Sequence, residues 1–468
     1  MSSDTASSTD FNLADEAWIP VLTARGATEV GLTELFDNTD QIAAIASGSV
    51  IVDAALLRLL LAVDAAADHA GISAARWVVG HQASFNLFDT TIPFWQNASM
   101  RELEELKSAL STAPGLTRPN GALESMANSP NSALAGLQRT RLTPAEAARA
   151  LVMRQQFSTG GLQSFPAKAA YGQPPSAKST IANQAPLVIV EGRTLADTLT
   201  ASRYTAADAP IGQFQFTWNP ADKPYADGIP VGVVDTLTWQ ARSMLLHRDA
   251  DGLVDAYMCS EGLRYGALQP ALLPHTTYQQ KTKGADWTVR APHHQRPAWR
   301  QLLDAYAAGS PGLLSHLPAS TSTTGPQSVK LLGLSSFQGR IDGHVTGAIP
   351  LPAIPAEAAA ALSDAVGNAY KEVSSALGSA GAAINASGWG DRRRDAFTAT
   401  VEPAAAAIVA DALHGTVTVD DAVSSLAAVG YRAATHVAEA HTDAYPAVAG
   451  MLTARVTDRA ATAARKES

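Results

Sequence analysis

The sequence predicts an α+β protein with a large mixed N-terminal domain followed by a C-terminal four-helix bundle. Up to about residue 355, short β-prone runs alternate with helical segments and many Gly and Pro turns. Beyond that point the chain is Ala-rich, and its apolar residues recur every three or four positions, as on one face of a helix. Residues 349–355 contain three prolines, which continue neither helix nor strand. We therefore expect domains at 1–355 and 356–468.

The larger region contains one strongly apolar helix and a second helix that ends near paired glycines. Residues 50–63 are apolar on nearly every side, which is typical of a helix buried all round. Residues 144–154 form the second predicted helix, and Gly160 and Gly161 follow it closely. Paired glycines allow positive φ and close approach of another backbone or a ligand. We expect either a turn that caps the helix or a loop whose backbone enters a groove.

A first β-hairpin is predicted around Asp251-Gly252, a dipeptide that favours a hairpin turn between β-prone runs. The flanking runs are 229–246 and 253–258. Residues 247–249 read His-Arg-Asp, like a kinase catalytic loop, but Val254 stands where such a loop needs Asn. We interpret these residues as a charged shoulder of the hairpin.

A second hairpin is predicted from residues 330–334 and 340–346, which flank the polar tip 335–339. Its residues Gln338 and Arg340 are either solvated turn residues or contacts to a ligand.

The C-terminal region contains four apolar stripes at helical spacing, which predicts an antiparallel four-helix bundle. Thr418 with Asp421 three residues later predicts a helix N-cap, and Pro403 predicts a kink or restart within the second helix. The stripes lie at 362–377, 397–413, 418–437 and 448–456.

Composition predicts a globular, cytoplasmic protein. The hydrophobic fraction is 46% over 468 residues, and Cys259 is the only cysteine, which excludes an intramolecular disulfide and a multi-thiolate zinc site. Residues 1–10 lack the pattern of a signal peptide, and no run approaches the roughly 20 apolar residues of a membrane span. The net charge of −9 is unlike that of a free-standing duplex binder, which is usually basic.

Motifs for catalysis, cofactors and metals do not assemble. The sequence has no phosphate-binding loop, no dinucleotide fingerprint and no nucleophile elbow. His293 and His294, with His275 nearby, are the only metal candidates, but adjacent histidines rarely converge on one ion, and a solvated loop is the alternative. We expect neither catalytic residues, nor a cofactor, nor a metal. A hydrolase with a site scattered along the sequence remains an alternative.

Three segments of the sequence match the pattern of one protein family. Residues 11–21, F-N-L-A-D-E-A-W-I-P-V, resemble the family's opening strand, here a β-prone run that we expect to end at Pro20. Residues 85–96, from Phe-Asn-Leu-Phe-Asp to Pro-Phe-Trp-Gln, are similar to a second family segment. Residues 233–240 resemble a third family segment. The sequence therefore resembles, over most of its length, the CasA family, the large subunits of the type I-E CRISPR Cascade complex.

This resemblance implies a non-catalytic subunit of an RNA-guided complex that recognises the PAM, a short flanking motif, in the minor groove of double-stranded target DNA. Guide RNA pairing reads the rest of the target. The implied subunit helps open the duplex and helps recruit a helicase-nuclease. Its implied partners are the other Cascade subunits, the guide RNA and the target DNA, and tethering by basic partners would offset the acidic charge. A purely structural scaffold subunit is the alternative.

Individual roles follow from the resemblance for a few positions. Gly160 and Gly161 match the family's glycine loop, and Gln338, Gly339 and Arg340 match its hairpin wedge.

The family's lysine has no counterpart in this sequence, because the corresponding stretch 263–274 has Arg264 and no lysine. We expect Arg264, Lys281 and Lys283 as possible phosphate contacts. Family members often have a Cys-rich zinc insert in this part, which Cys259 alone cannot form.

Overall fold

The protein is a mixed α and β chain that contacts between residues divide into two compact units. The first comprises residues 1–298 and 310–348, and the second comprises residues 299–309 and 349–468. The computed structural model describes residues 10–102, 118–119, 141–162, 176–204, 210–219, 227–266, 268–282, 284–317, 327–337, 339–384 and 401–442. The second unit therefore includes a segment, 299–309, that the sequence places well before the proline-rich connection. The assignment of domains to 1–355 and 356–468 stays a prediction.

The described helices of the first unit are two long ones and several short ones. They are α1 (Leu32–Asp37), α2 (Val50–His69), α3 (Ala74–Gly80), α4 (Pro144–Phe157), α5 (Ile181–Gln184), α6 (Leu195–Ser202) and α7 (Val233–Thr238).

The described strands form small sheets of two or three members. They are β1 (Ile19–Thr23), β2 (Gly26–Val30), β3 (Ile42–Ile45), β4 (Arg118–Pro119), β5 (Gly161–Leu162), β6 (Ser176–Ala177), β7 (Leu187–Glu191), β8 (Asp227–Gly228), β9 (Arg242–Arg248), β10 (Val254–Glu261), β11 (Arg264–Tyr265), β12 (Tyr278–Gln279), β13 (Thr288–Val289), β14 (Ser328–Phe337) and β15 (Arg340–Pro350). The three-stranded sheets have the orders β2-β1-β3, β4-β10-β9 and β15-β14-β7.

Helix α2 is the centre of the first unit's core and confirms the predicted buried helix. The Ser49 side chain caps it by accepting the Val52 N–H, and the helix continues to His69, beyond the predicted end. Arg58 on this helix is also buried, and burial lowers the pKa of its guanidinium to about 10. Arg58 Nη2 donates to the carbonyl of Thr236 at 3.1 Å, so the charge ties α2 to α7.

Both predicted hairpins form, but one predicted strand is a helix. Strands β9 and β10 pair antiparallel around the Asp251-Gly252 turn. Residues 233–238 are helical, although their Val and Thr content favours a strand. Asp235 explains the difference, because its carboxylate accepts the N–H groups of Gln213 and Val231 at 2.9 Å each. Those tertiary contacts decide the local conformation.

The predicted end of the first strand at Pro20 is wrong. Strand β1 begins at Ile19 and continues through Pro20, which pairs with Glu29 and whose carbonyl accepts the Ala46 N–H at 3.0 Å. Near the start of a strand, a proline removes one ladder donor without interrupting the rest.

The described helices of the second unit are α8 (Ala298–Ala307), whose first residue belongs to the first unit, α9 (Ala356–Ile384), α10 (Glu402–His414) and α11 (Val419–Thr442). Asp421 N–H donates to Thr418 Oγ1 at 3.1 Å, which confirms the predicted cap. Pro403 lies in the first turn of α10, where it starts a helix and does not kink one. The fourth predicted segment, 448–456, lies outside the described residues, so the four-helix bundle stays a prediction. None of the described helices is long and apolar enough to cross a membrane.

A buried histidine makes stability depend on pH. His275 is buried, and its Nε2 lies 2.8 Å from the Ser202 carbonyl. Desolvation is the main reason why its pKa falls from 6.5 to about 4. The unfolded chain therefore takes up the proton first, and the free energy of unfolding decreases as pH falls from about 6.5 towards about 4.

We expect His275→Gln to remove this contribution. Between about pH 7.5 and about pH 4.5, the natural chain should lose about 2 kcal/mol more unfolding free energy than the variant. Urea denaturation at the two pH values measures the difference. Equal losses of unfolding free energy in the two proteins would show that the pKa of His275 is the same in the folded and unfolded chain.

Candidate nucleic-acid interface

Two segments far apart in the sequence meet at one pocket. Gly160 and Gly161, after α4, and Gly339, in the β14–β15 turn, line an open pocket of about 850 Å³. A Cβ atom built on Gly339 would lie 3.0 Å from the Gly160 carbonyl oxygen. The hairpin tip thus contacts the glycine segment backbone to backbone. We refer to this site as the glycine pocket.

The end of α4 sets where the glycines lie. The helix begins with a capping box between Thr143 and Glu146 and ends at Phe157, with Ser158 as an extended C-cap. The glycines are therefore not the helix cap, and that alternative is wrong. Instead, Gly161 starts β5, which pairs with β6 through the partners Gly161 with Ala177 and Leu162 with Ser176.

Both glycines are needed by the backbone of this β5–β6 ribbon. A Cβ on Gly160 would lie 2.9 Å from the Ser179 nitrogen and 3.0 Å from the Ala177 oxygen, closer than side chains pack. Gly161 has φ +134° and Gly339 has φ +80°, conformations that favour glycine. Gly160 and Gly161 are half-buried and line the pocket.

A buried arginine holds the two arms of the ribbon together. Arg242 is 1% exposed, and its Nη2 donates to the Thr159 carbonyl at 3.0 Å and to the Lys178 carbonyl at 2.8 Å. Its Nη1 donates to the Ala241 carbonyl at 2.8 Å. Burial, the largest cause, lowers the pKa of Arg242. The guanidinium therefore fixes the carbonyl that precedes the glycines and one on the opposite arm.

Gln155, in α4, connects the main chain of Arg242 to the second family-like segment. Gln155 Nε2 donates to the carbonyls of Trp95 and Arg242 at 2.9 and 2.8 Å, and its Oε1 accepts the Arg242 N–H at 3.1 Å. Gln96 Oε1 accepts the Leu246 N–H at 2.8 Å and so joins the same segment to β9. The segment that contains Trp95 and Gln96 is thus hydrogen-bonded to Gln155 and to β9.

Of the residues predicted to contact phosphate, Arg264 is paired with a carboxylate and Lys281 lies outside the pocket. Arg264 is close to the pocket, but its Nε and Nη2 donate to Glu261 Oε2 at 3.0 and 2.9 Å. Glu261 is 1% exposed and also accepts the Lys178 N–H at 2.7 Å, so its carboxylate balances the charge of Arg264. Lys281 is exposed and does not line the pocket. Arg340 begins β15. Gln338 and Lys283 lie outside the described residues.

Two pocket residues escape prediction from sequence. Lys178 is exposed, and it is the one charged side chain among the described residues that line the pocket. Phe337 lines the same pocket and is 63% exposed. Neither residue is part of a recognisable sequence motif. The sequence indicates only that Lys178 follows a loop-like segment and that Phe337 lies in the predicted hairpin tip. Tyr265 closes one side by donating its hydroxyl to the Ser179 carbonyl at 2.9 Å, and burial raises its pKa to about 12.

The histidines do not form a reactive or metal-binding cluster in the described part of the chain. There, no three His, Cys, Asp or Glu side chains come together as metal ligands. The rings of His293 and His294 stack at 5.6 Å, and His294 Nδ1 lies 3.2 Å from Ser335 Oγ. In the His-Arg-Asp segment, His247 pairs with Asp255 at 2.7 Å, as a charged hairpin shoulder would.

The groups that line the pocket are ones that proteins use to bind nucleic acids. The pocket offers half-buried glycine main chain, one ammonium group and one exposed aromatic ring, and Arg242 is hydrogen-bonded to the main chain beside the glycines. These are the groups with which proteins contact nucleic-acid edges, phosphates and bases.

The model of the CRISPR-associated protein Cse1 family matches residues 12–437. The CRISPR-associated protein CasA/Cse1 of Thermus thermophilus is 29% identical over 268 residues, which are 52% of this chain. The match spans 50% of the length of that curated relative.

Solved structures share the fold. Cse1 from Acidimicrobium ferrooxidans superposes with a TM-score of 0.73 at 18% identity, covering 98% of this chain and 99% of that one. A chain of a structure described as a CRISPR RNA-guided surveillance complex superposes with a TM-score of 0.75 at 16% identity, covering 96% and 99%.

Proposed function

Because the chain belongs to the Cse1 family of CRISPR-associated proteins, we propose that it is the large, non-catalytic subunit of an RNA-guided surveillance complex. In this role the glycine pocket reads the PAM that flanks the target in double-stranded DNA. The observation that carries the proposal is the meeting of Gly160 and Gly339 at one open pocket.

Main chain without side chains suits the minor groove. That groove is only about 6 Å wide, so a Cβ or larger group restricts access to base edges. The glycine segment and the hairpin turn together present such a main chain, and Arg242 holds it in place before any ligand arrives. A preorganised loop loses less conformational entropy on binding than a mobile one.

The acidic composition is compatible with this function if partners supply most of the electrostatic attraction. The chain carries a net charge of −9, and Lys178 is the one charged side chain on the described pocket wall. An isolated chain should bind duplex DNA poorly. Within a complex whose RNA and basic subunits hold the DNA nearby, the effective concentration of duplex is high enough for weak contacts to discriminate.

Opening of the duplex and recruitment of a helicase-nuclease complete the proposed role. Opening is supported by the position of the β14–β15 turn beside the glycines. Recruitment rests on the family resemblance alone. A complex containing this chain should co-purify with a guide RNA, and a chain that joins the complex but leaves it indifferent to flanking DNA would be a structural scaffold.

Lys178→Gln tests the electrostatic part of the proposal. If the ammonium neutralises one phosphate, the slope of log affinity against log salt for the assembled complex should decrease in magnitude by about one. Lys281→Gln, measured in parallel, asks the same question of the predicted contact outside the pocket. Filter binding over a salt series gives both slopes. An unchanged slope for Lys178→Gln would mean that this lysine touches no phosphate.

A further inference from the structure

A second pocket lies in the first unit and shares no lining residue with the glycine pocket. Its volume is about 580 Å³, within the range of about 300–1,000 Å³ that is typical of ligand sites. Its walls come from the segment 213–219, from residues of and before α7, and from Ser84 and Ile92. We refer to it as the aromatic pocket.

Two phenylalanines form one wall of the aromatic pocket. Phe214 and Phe216 are half-buried, and their ring centroids lie 4.6 Å apart. Phe216 also stacks on Trp77, with centroids 5.6 Å apart and planes 16° apart. Their main chain is held by Trp95, whose N–H donates to the Phe216 carbonyl and whose Nε1 donates to the Gln215 carbonyl, each at 2.8 Å. The wall is therefore in place before a ligand arrives.

Two buried acceptors lie on the polar side of the aromatic pocket. Asp235 is 6% exposed, and within the described structure no cation pairs with its carboxylate and none lines the pocket. Gln240 is 2% exposed, and its amide oxygen has no hydrogen-bond partner among the described residues. The terminal torsion of glutamine is soft, so this oxygen can turn towards a ligand. An unpaired buried acceptor is costly, and a ligand that donates to it removes that cost.

We propose that the aromatic pocket receives an arginine side chain from another protein subunit of the surveillance complex. A guanidinium is planar, stacks on aromatic faces and carries five N–H donors, so it suits a pocket that combines phenylalanine rings with acceptors. The carboxylate of Asp235 supplies the opposite charge.

The rim of the aromatic pocket suits the rest of that side chain. Ile92 and Val231 line the pocket and are 39% and 63% exposed. Exposed apolar side chains grouped at a concave site are typical of a surface that a partner covers. The methylene groups of an arginine pack on such a rim while its charged end reaches the acceptors.

Charge favours a protein occupant over a nucleic acid. A phosphate backbone needs cations, and the described lining of the aromatic pocket carries a carboxylate and no cation. Subunits that hold a guide RNA carry lysine and arginine for its phosphates, and the present chain has a net charge of −9. An arginine of such a subunit therefore complements this chain. The inference rests on the proposed membership of the complex and does not depend on motif reading.

Val231→Arg tests the pocket by placing the chain's own guanidinium on its rim. We expect its affinity for a complex assembled without this subunit to fall about tenfold, because the new charge repels the incoming arginine and competes for its acceptors. Ile229→Arg is the matched control, since it makes the same charge change two residues away, at a side chain that is 77% exposed and does not line the pocket. Biolayer interferometry on the immobilised complex measures both. Natural affinity for Val231→Arg, or an equal loss in the two variants, would overturn the proposal.

Photo-cross-linking identifies the occupant. With benzoylphenylalanine in place of Ile229, the assembled complex should give one cross-link, to an arginine-containing peptide of another subunit. Changing that arginine to alanine should weaken association about tenfold, and Val231→Arg should then have little further effect. A cross-link to guide RNA or to DNA, or to a peptide without arginine, would contradict the assignment.

Failure of this proposal is distinguishable from failure of the proposed function. If Val231→Arg joins the complex like the natural chain while Gly160→Asp loses its preference for the flank, only the arginine site is wrong. If the natural chain joins no complex that contains a guide RNA, both proposals are wrong.

Discussion

Gly160→Asp is expected to lower the affinity of the assembled complex for a duplex with its preferred flank by on the order of 100-fold, about 2.7 kcal/mol. A side chain at position 160 collides with backbone, since its Cβ would lie 2.9 Å from the Ser179 nitrogen and 3.0 Å from the Ala177 oxygen. The β5–β6 ribbon must shift, and a carboxylate is added where phosphates approach. Both changes act on the surface that we propose enters the minor groove.

The measurement uses target duplexes with a randomised flank, because the preferred motif need not be known in advance. Sequencing the bound fraction should show a clear preference for the natural complex and a flat distribution for Gly160→Asp. Gly80→Asp is the matched control, since a Cβ at that glycine meets nothing within 4 Å. Both variants should assemble with normal stoichiometry. A retained preference in Gly160→Asp would remove the glycine pocket from motif reading.

Arg242→Met is expected to lower the free energy of unfolding by about 3 kcal/mol and to weaken flank preference as well. Methionine fills much of the volume but cannot donate to the carbonyls of Thr159 and Lys178, which would lose a charged donor. Without that bridge, the segment before the glycines is no longer fixed. Stability and motif reading should therefore fall together.

Urea unfolding followed by tryptophan fluorescence measures the stability loss. Arg141→Met serves as the control, because this arginine pairs at the surface with Asp249 and Asp251. Surface ion pairs contribute little, so its unfolding midpoint should not change measurably. An Arg242→Met chain with the natural midpoint would show that the guanidinium does not hold the ribbon.

Locally determined elements could be predicted from the sequence. Helix α2, the Asp251-Gly252 hairpin and the Thr418 cap follow from periodicity, turn chemistry and spacing, which act over a few residues. Helix α7 could not be predicted, since the contacts of Asp235 with distant main chain override the β-propensity of its neighbours.

The candidate site was predictable only in pieces. Resemblance singled out Gly160, Gly161 and Gly339, but their meeting is a tertiary contact between segments far apart in the chain. Arg264 and Glu261 are close in sequence, but the sequence does not show that they pair. Only the fold shows that the Glu261 carboxylate is buried and balances the charge of Arg264.

Lys178, Arg242 and Phe337 could not be predicted because their roles depend on exposure. In the sequence, Arg242 is only a charged residue just before an apolar run. Its hydrogen bonds to the carbonyls of Thr159 and Lys178 exist only in the folded chain. Phe337 resembles any core phenylalanine in sequence, and only the fold shows it to be 63% exposed.

Disulfide trapping tests most directly whether the glycine pocket touches the flank of the target. The chain's single cysteine, Cys259, is 3% exposed, so a Lys178→Cys substitution introduces the reactive thiol of this subunit. In the assembled complex, duplexes with a thiol tether in the flank should cross-link to this position, and those with the tether at the far end of the target should not. Absent or equal cross-linking at the two positions would contradict the account.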